Sequence, residues 1–256
     1  MFMDFTNDIQ AFLLIFSRVV SVLWLLPVFS SRAVSVPFKA GVSLLIAYLL
    51  FDSIGVDRSF SNDPYLLSLF VMKEVLIGLA IGFSVRILFI AVNIAGEIIS
   101  IQAGFSFARF MDPLSMTQTK VIEHLKSLLA MMLFLAMDAH HILVKAIVVS
   151  FRDVPIGSVT IQQSFFQYFI SATGRIFMTG FKIGAPIIVT LMFVEVALGM
   201  LSRMIPQINI FIEGLPLKIL VTVTMFSLSL GVIVPVIVNM FKGMDGEILR
   251  LFRLMV

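Results

Sequence analysis

Almost every apolar run in this chain is interrupted by a charge, and that restricts the fold more than any other feature. Apolar density places helices near 9–29, 38–51, 65–95, 121–150, 176–201 and 217–241. A lone helix crossing a bilayer needs ~20 predominantly apolar residues. Arg18 breaks into the first run, Lys73, Glu74 and Arg86 into the third, and Lys182 and Glu195 into the fifth. The apolar heart of the fourth, 127–137, ends at Asp138, His140 and His141. Only 219–241, ILVTVTMFSLSLGVIVPVIVNMF, is long, apolar and free of charge, while 154–174 is uncharged but polar through Gln162, Gln163 and Gln167. A charge at the bilayer centre costs at least ~2.5–3.5 kcal/mol on insertion scales, so such groups face protein or water. The expectation is that most of these helices pack against other subunits, with snorkelling or paired charges inside a monomeric bundle as the alternative.

Composition agrees with a membrane origin. The 256 residues are 60% hydrophobic and 13% charged, with a mean hydropathy of +1.10. Ordinary soluble domains are roughly 45–50% apolar and about 25% charged. A net charge of +3 without a basic run gives no sign of a nucleic-acid partner. The absence of cysteine excludes disulfides, thiolate metal sites and a cysteine nucleophile. MFMDFTNDIQ has no basic n-region, so the first run is expected to be retained.

Small residues point to close helix contacts. Gly78 and Gly82, and Gly180 and Gly184, are spaced as GxxxG, which lets helix backbones approach. Pro186 and Pro235 lie inside apolar runs and predict kinked, packed helices. If all six runs cross, lysines and arginines divide seven against seven between the two sides, so charge does not orient the chain. That tie predicts hairpins that turn back within an assembly.

Catalytic patterns are sparse. Asp138, His141 and Lys145 share a helix face, but His124 lies fourteen residues from Asp138 and no carboxylate pair completes a metal site. Nucleophile, zinc-protease and phosphate-loop motifs are missing, so neither an enzyme, a metal nor a cofactor is expected. Lys73 and Glu74 are adjacent and point about 100° apart on a helix, so each is expected to meet a different partner. Arg86, Glu97 and Glu195 are candidate buried or intersubunit charges, with intramolecular pairing an equal alternative.

Between two strongly apolar regions lies AGEIISIQAGFSFARFMDPLSMTQ, 95–118, in which Gly96, Gly104 and Pro113 should weaken a helix. Phe105, Phe107, Phe110, Met111 and Met116 are unusual for a solvated loop. Phenylalanine and methionine suit a dry constriction, and methionine repacks easily.

Four stretches stand out together: PVFSSRAVSVPFKAGVSLLIAYLL (27–50), KEVLIGLAIGFSVRILFIAVNIAGEIISIQAGFSFARFMDP (73–113), VPIG (154–157) and GAPIIVTLMFVEVALGMLSRMIPQINIFIEGLPLKI (184–219). They resemble the flagellar biosynthetic protein FliR family, which includes the corresponding subunit of injectisome-type secretion systems. DAHH stands where the family has an Asn-Gly-His-like sequence, so the resemblance gives it no role.

The resemblance implies an all-α fold of membrane-derived helical hairpins, kinked and packed against partners in a hetero-oligomeric export gate. It implies a non-enzymatic, pore-forming subunit in the bacterial inner membrane at the flagellar basal body. Implied partners are the P- and Q-type gate proteins FliP and FliQ, the FlhB-type switch protein, unfolded export substrates and membrane lipid. Residues 1–183 would be P-like and 184–256 a Q-like hairpin whose connection, RMIPQINIFIEGLPLK, faces the cytoplasmic entrance. Residues 104–118 would be a pore plug, with Gly104 as hinge, Pro113 in a turn, and Phe105, Phe107, Phe110, Met111 and Met116 sealing the channel. The GFSFARFMDP block favours the flagellar branch. A small secondary transporter or ion channel using Arg86, Glu97, Glu195 or Asp138 is the alternative from another class.

Overall fold

Local signals fix where many of the helices begin and end. The computed structural model describes residues 2–30, 34–54, 63–105, 121–159, 162–205, 207 and 210–255, which are all-α without a strand. The elements are α1 (Phe2–Leu25), the short α2 (Pro27–Ser30), α3 (Val36–Ser53), α4 (Pro64–Gln102), α5 (Val121–Ala136), α6 (Ala139–Asp153), α7 (Gln163–Met204), α8 (Ile210–Lys242) and α9 (Met244–Arg253). Proline opens α4 at a position whose N–H has no helical partner anyway, and Asp63 Oδ1 accepts the Tyr65 N–H at 3.0 Å.

The far end of α4 is closed by Gly104. Its φ of +86° is a left-handed conformation that glycine adopts without a Cβ penalty. The Gly104 N–H bonds the Ile101 carbonyl and the Phe105 N–H reaches back to Ser100, each at 3.1 Å. This pair of bonds satisfies carbonyls that the last helical turn leaves open. Gly104, expected as a hinge, is the glycine of a helix cap. Gly96 lies inside α4, which continues through it to Gln102; one glycine costs about 1 kcal/mol of helix propensity, less than packing returns to a buried helix.

Two other boundaries differ from expectation. α7 begins at Gln163, far ahead of 176, because the glutamines that bar 154–174 from a bilayer do not bar it from a helix. α8 begins at Ile210 with Pro216 inside it, so most of the expected 203–218 connection is helical. The expected fourth run is two helices, broken where Asp138 takes φ 55°.

The helices fall into two compact units, Met1–Ile87 with Asp138–Ala172 and Lys242–Val256, and Leu88–Met137 with Thr173–Phe241. Both are discontinuous in sequence, and the division expected between 183 and 184 falls within the unbroken α7. In the first unit α1 packs on α3, where Phe12 meets Phe51 edge-on at 6.0 Å. Amphipathic α9 buries Met244, Ile248, Leu251 and Phe252 in its contact with α6. Tyr168 on α7 donates to Glu247 Oε2 at 2.9 Å. In the second unit Phe89, Phe134 and Phe241 bring α4, α5 and α8 together, with ring centroids 5.4–5.5 Å apart.

Among the described residues, four stretches are long and apolar enough to cross a membrane: Thr6–Leu25, Pro64–Gln102, Gln163–Met204 and Ile212–Arg253. A fifth appears if Leu125–Ala136 and Ala139–Asp153 are one broken span.

Candidate functional site

The most elaborate polar site in the first unit grows from the charges that interrupt α1 and α4. Arg18 and Glu74 are fully buried and joined by a 2.5 Å ion pair from Nε to Oε2. Taking two ions out of water costs several kcal/mol each unless geometry and further hydrogen bonds compensate. Here they do. Arg18 Nη1 donates to Ser150 Oγ and Nη2 to the Val154 carbonyl, both at 3.1 Å. The guanidinium lies 4.0 Å from the centre of the Phe151 ring, a cation–π contact strengthened by burial. The second carboxylate oxygen of Glu74 accepts the Gly157 N–H at 3.1 Å.

Lys73 completes the arrangement. Its ammonium donates to the Gly157 carbonyl at 2.8 Å, so adjacent residues of opposite charge grip the two polar groups of one glycine. They do not pair with each other, as their angular separation on the helix requires. Gly157 has φ +78°, and a β-carbon there would sit 2.8 Å from the Phe70 ring. VPIG is therefore a tight loop tied to α1, α4 and α6 through Arg18, Glu74, Lys73 and Ser150. The sequence marked Arg18, Lys73 and Glu74 as interruptions but gave no reason to join Arg18 to Glu74, 56 residues away.

Glycine sets how closely helices approach. At Gly78 a β-carbon would overlap Ser21 Oγ and the Arg18 carbonyl. At Gly82 it would lie 2.9 Å from both Leu25 Cβ and the Val22 carbonyl. These glycines face α1 beside the buried ion pair. In the second unit a β-carbon at Gly180 would lie 2.8 Å from the Ala91 carbonyl on α4. At Gly184 the nearest atom is Ile188 Cδ1 of the same helix, with Ile99 Cδ1 at 3.6 Å.

The expected buried or intersubunit charges are less enclosed. Arg86 is exposed and Glu97 half-buried. Glu195 is exposed and pairs with Lys218 at 2.6 Å, so its partner lies within the chain. Lys126 is fully buried in the second unit, its ammonium without a hydrogen bond among the described residues and 6.0 Å from the Phe226 ring. The sequence reading gave Lys126 no role beyond loop charge.

Of the expected seal, Gly104 and Phe105 are described and half-buried. A β-carbon on Gly104 would overlap the Leu215 side chain. Phe107, Phe110, Met111, Pro113 and Met116 lie outside the described residues.

Comparison with known proteins covers almost the same span as the fold. Over 229 residues the chain is 33% identical to flagellar biosynthetic protein FliR of Escherichia coli K12, covering 88% of this chain and 86% of the relative. The protein of the same name from Bacillus subtilis 168 is 34% identical over 240 residues, 91% and 90% of the two chains. That of Pectobacterium carotovorum is 32% identical over 250 residues, 97% and 93%. Residues 9–244 match the model of bacterial export proteins, family 1. With the match running from α1 into α9, the chain belongs to the bacterial export proteins, family 1.

Proposed function

We propose that this chain is a structural, pore-forming subunit of the flagellar type III protein export gate in the bacterial inner membrane. The observation that carries the reading is family membership over 9–244, with FliR relatives matched along most of both chains. Its work is passive: it helps enclose a path for unfolded substrates and reseals it, while other components supply energy.

The helices support a role inside an assembly. At 1.5 Å per residue, α4, α7 and α8 are about 58, 63 and 50 Å long, against a hydrocarbon core of ~30 Å. The apolar windows of the first two spans are 56% buried within the chain, but those of the last two only 28% and 22%. Exposed Phe177, Phe181, Met192, Phe193, Leu220, Val223 and Leu228 leave apolar surface for lipid or neighbouring subunits. P- and Q-type gate proteins and an FlhB-type switch protein are the partners this reading assigns, with 184–256 as the Q-like hairpin.

Residues 104–118 form the plug in this reading. The Gly104 cap ends α4 and starts the Phe- and Met-rich segment, whose composition suits a dewetting constriction. Deletion of 106–116 tests it in cells that depend on this chain. Assembly should persist while small-ion or small-molecule leakage rises. Normal assembly with an unchanged leak overturns the plug assignment.

A further inference from the structure

The break between α5 and α6 gathers side chains that the family role does not use. In a regular helix Asp138, His140 and His141 would not converge, since residues two apart lie on opposite sides. Asp138, however, precedes α6 and has φ 55° and ψ 26°. That left-handed turn lays its carboxylate over the first turn. Asp138 Oδ1 lies 3.5 Å from His141 Nδ1 and 4.0 Å from His140 Nε2. One ligand atom from each of the three residues falls within 4.8 Å of the others.

We propose that Asp138 Oδ1, His140 Nε2 and His141 Nδ1 form a binding site for a divalent transition-metal ion of the zinc, nickel or copper type. The carboxylate makes no side-chain bond to the helix end, which leaves its lone pairs available. His140 Nε2 is the ring nitrogen turned toward the carboxylate, and Nδ1 is buried without a hydrogen bond among the described residues. The two imidazoles lie side by side, centroids 4.2 Å apart and tilted by 36°. The side chains of Asp138 and His141 are 73% exposed and that of His140 43%, so the site is open at the surface of the chain.

Ligands bound at ~2.0–2.2 Å lie about 3 Å apart when they subtend a right angle at the metal. Small rotations of these exposed side chains close the difference. Two imidazoles and one carboxylate select zinc, nickel or copper over magnesium and calcium, which take oxygen-rich sites. Three protein ligands leave a coordination position for water or another donor. The same geometry without a metal is a pair of surface His–Asp contacts, which contribute little.

The test uses full-length protein in mild detergent, carrying no polyhistidine tag and stripped with chelator. Calorimetric titrations use zinc, nickel or copper chloride, with magnesium chloride as comparison. One ion per chain is expected, with no magnesium binding, and His140→Gln, His141→Gln and Asp138→Asn should each weaken affinity about tenfold or more. His124→Gln should leave it unchanged. The spin-resonance spectrum of bound copper should show two imidazole nitrogens in the parent and one in either single histidine variant. No saturable binding, or binding insensitive to all three ligand substitutions in variants that elute as the parent does, overturns the proposal.

Discussion

Replacing Glu74 by glutamine keeps the size of the side chain and removes its charge. One carboxylate oxygen now faces the Arg18 Nε–H and the other the Gly157 N–H. An amide offers one acceptor oxygen and one NH2, so either orientation sets a donor against a donor. It also leaves a guanidinium with no counter-charge in a fully buried position. Breaking one side of a buried pair costs about 3–5 kcal/mol, a large share of a typical stability of ~5–15 kcal/mol. For a chain of this size, 1 kcal/mol moves the melting midpoint by about 2–4 °C, so Glu74→Gln should lower it by roughly 6–20 °C.

The assay heats a fluorescent fusion in one detergent and measures the fraction that still elutes as the intact species. The double variant Arg18→Met with Glu74→Leu removes both charges and should be more stable than Glu74→Gln. It should remain below the parent by about 1–3 kcal/mol, because the Gly157 N–H then lacks its acceptor. A Glu74→Gln midpoint within about 2 °C of the parent, or a double variant no better than the single, refutes the reasoning.

Gly104→Ala places a side chain at φ +86° and into Leu215. The left-handed conformation alone costs about 1–2 kcal/mol, so a midpoint lowered by at least ~2 °C is expected. Gly78→Ala overlaps Ser21 Oγ and the Arg18 carbonyl. It should lower the midpoint by about 2–12 °C, from an overpacking cost of ~1–3 kcal/mol. Gly174→Ala, where a β-carbon meets nothing within 4 Å, should not lower it. Lys218→Met removes the partner of the exposed Glu195 and should change stability by no more than about 1 kcal/mol in the same melt.

Much of the architecture was legible in the chain because apolar density and glycine spacing are local signals. Charges inside apolar runs marked places that need protein or water, and Arg18 and Glu74 occupy such a place. Their pairing was not legible, because helix periodicity relates residues a turn or two apart and these are 56 apart. The start of α7 was missed because a test for spanning lipid was applied to a segment that is helical without being strongly apolar. The hinge at Gly104 came with the resemblance, whereas its capping of α4 rests on the bonds from Gly104 and Phe105 back to Ile101 and Ser100, which residue spacing does not announce. The juxtaposition of Asp138, His140 and His141 depends on one positive φ, and an aspartate alone does not announce it. Lys126 gave no signal because its burial comes from elements distant in sequence.

In the proposed function this chain works as one subunit of a mixed export gate. Co-expression with its P- and Q-type gate proteins, extraction in mild detergent and native mass measurement tests that directly. A single hetero-oligomer containing this chain with both partners is expected. A stable, transport-active homo-oligomer that excludes them would contradict it.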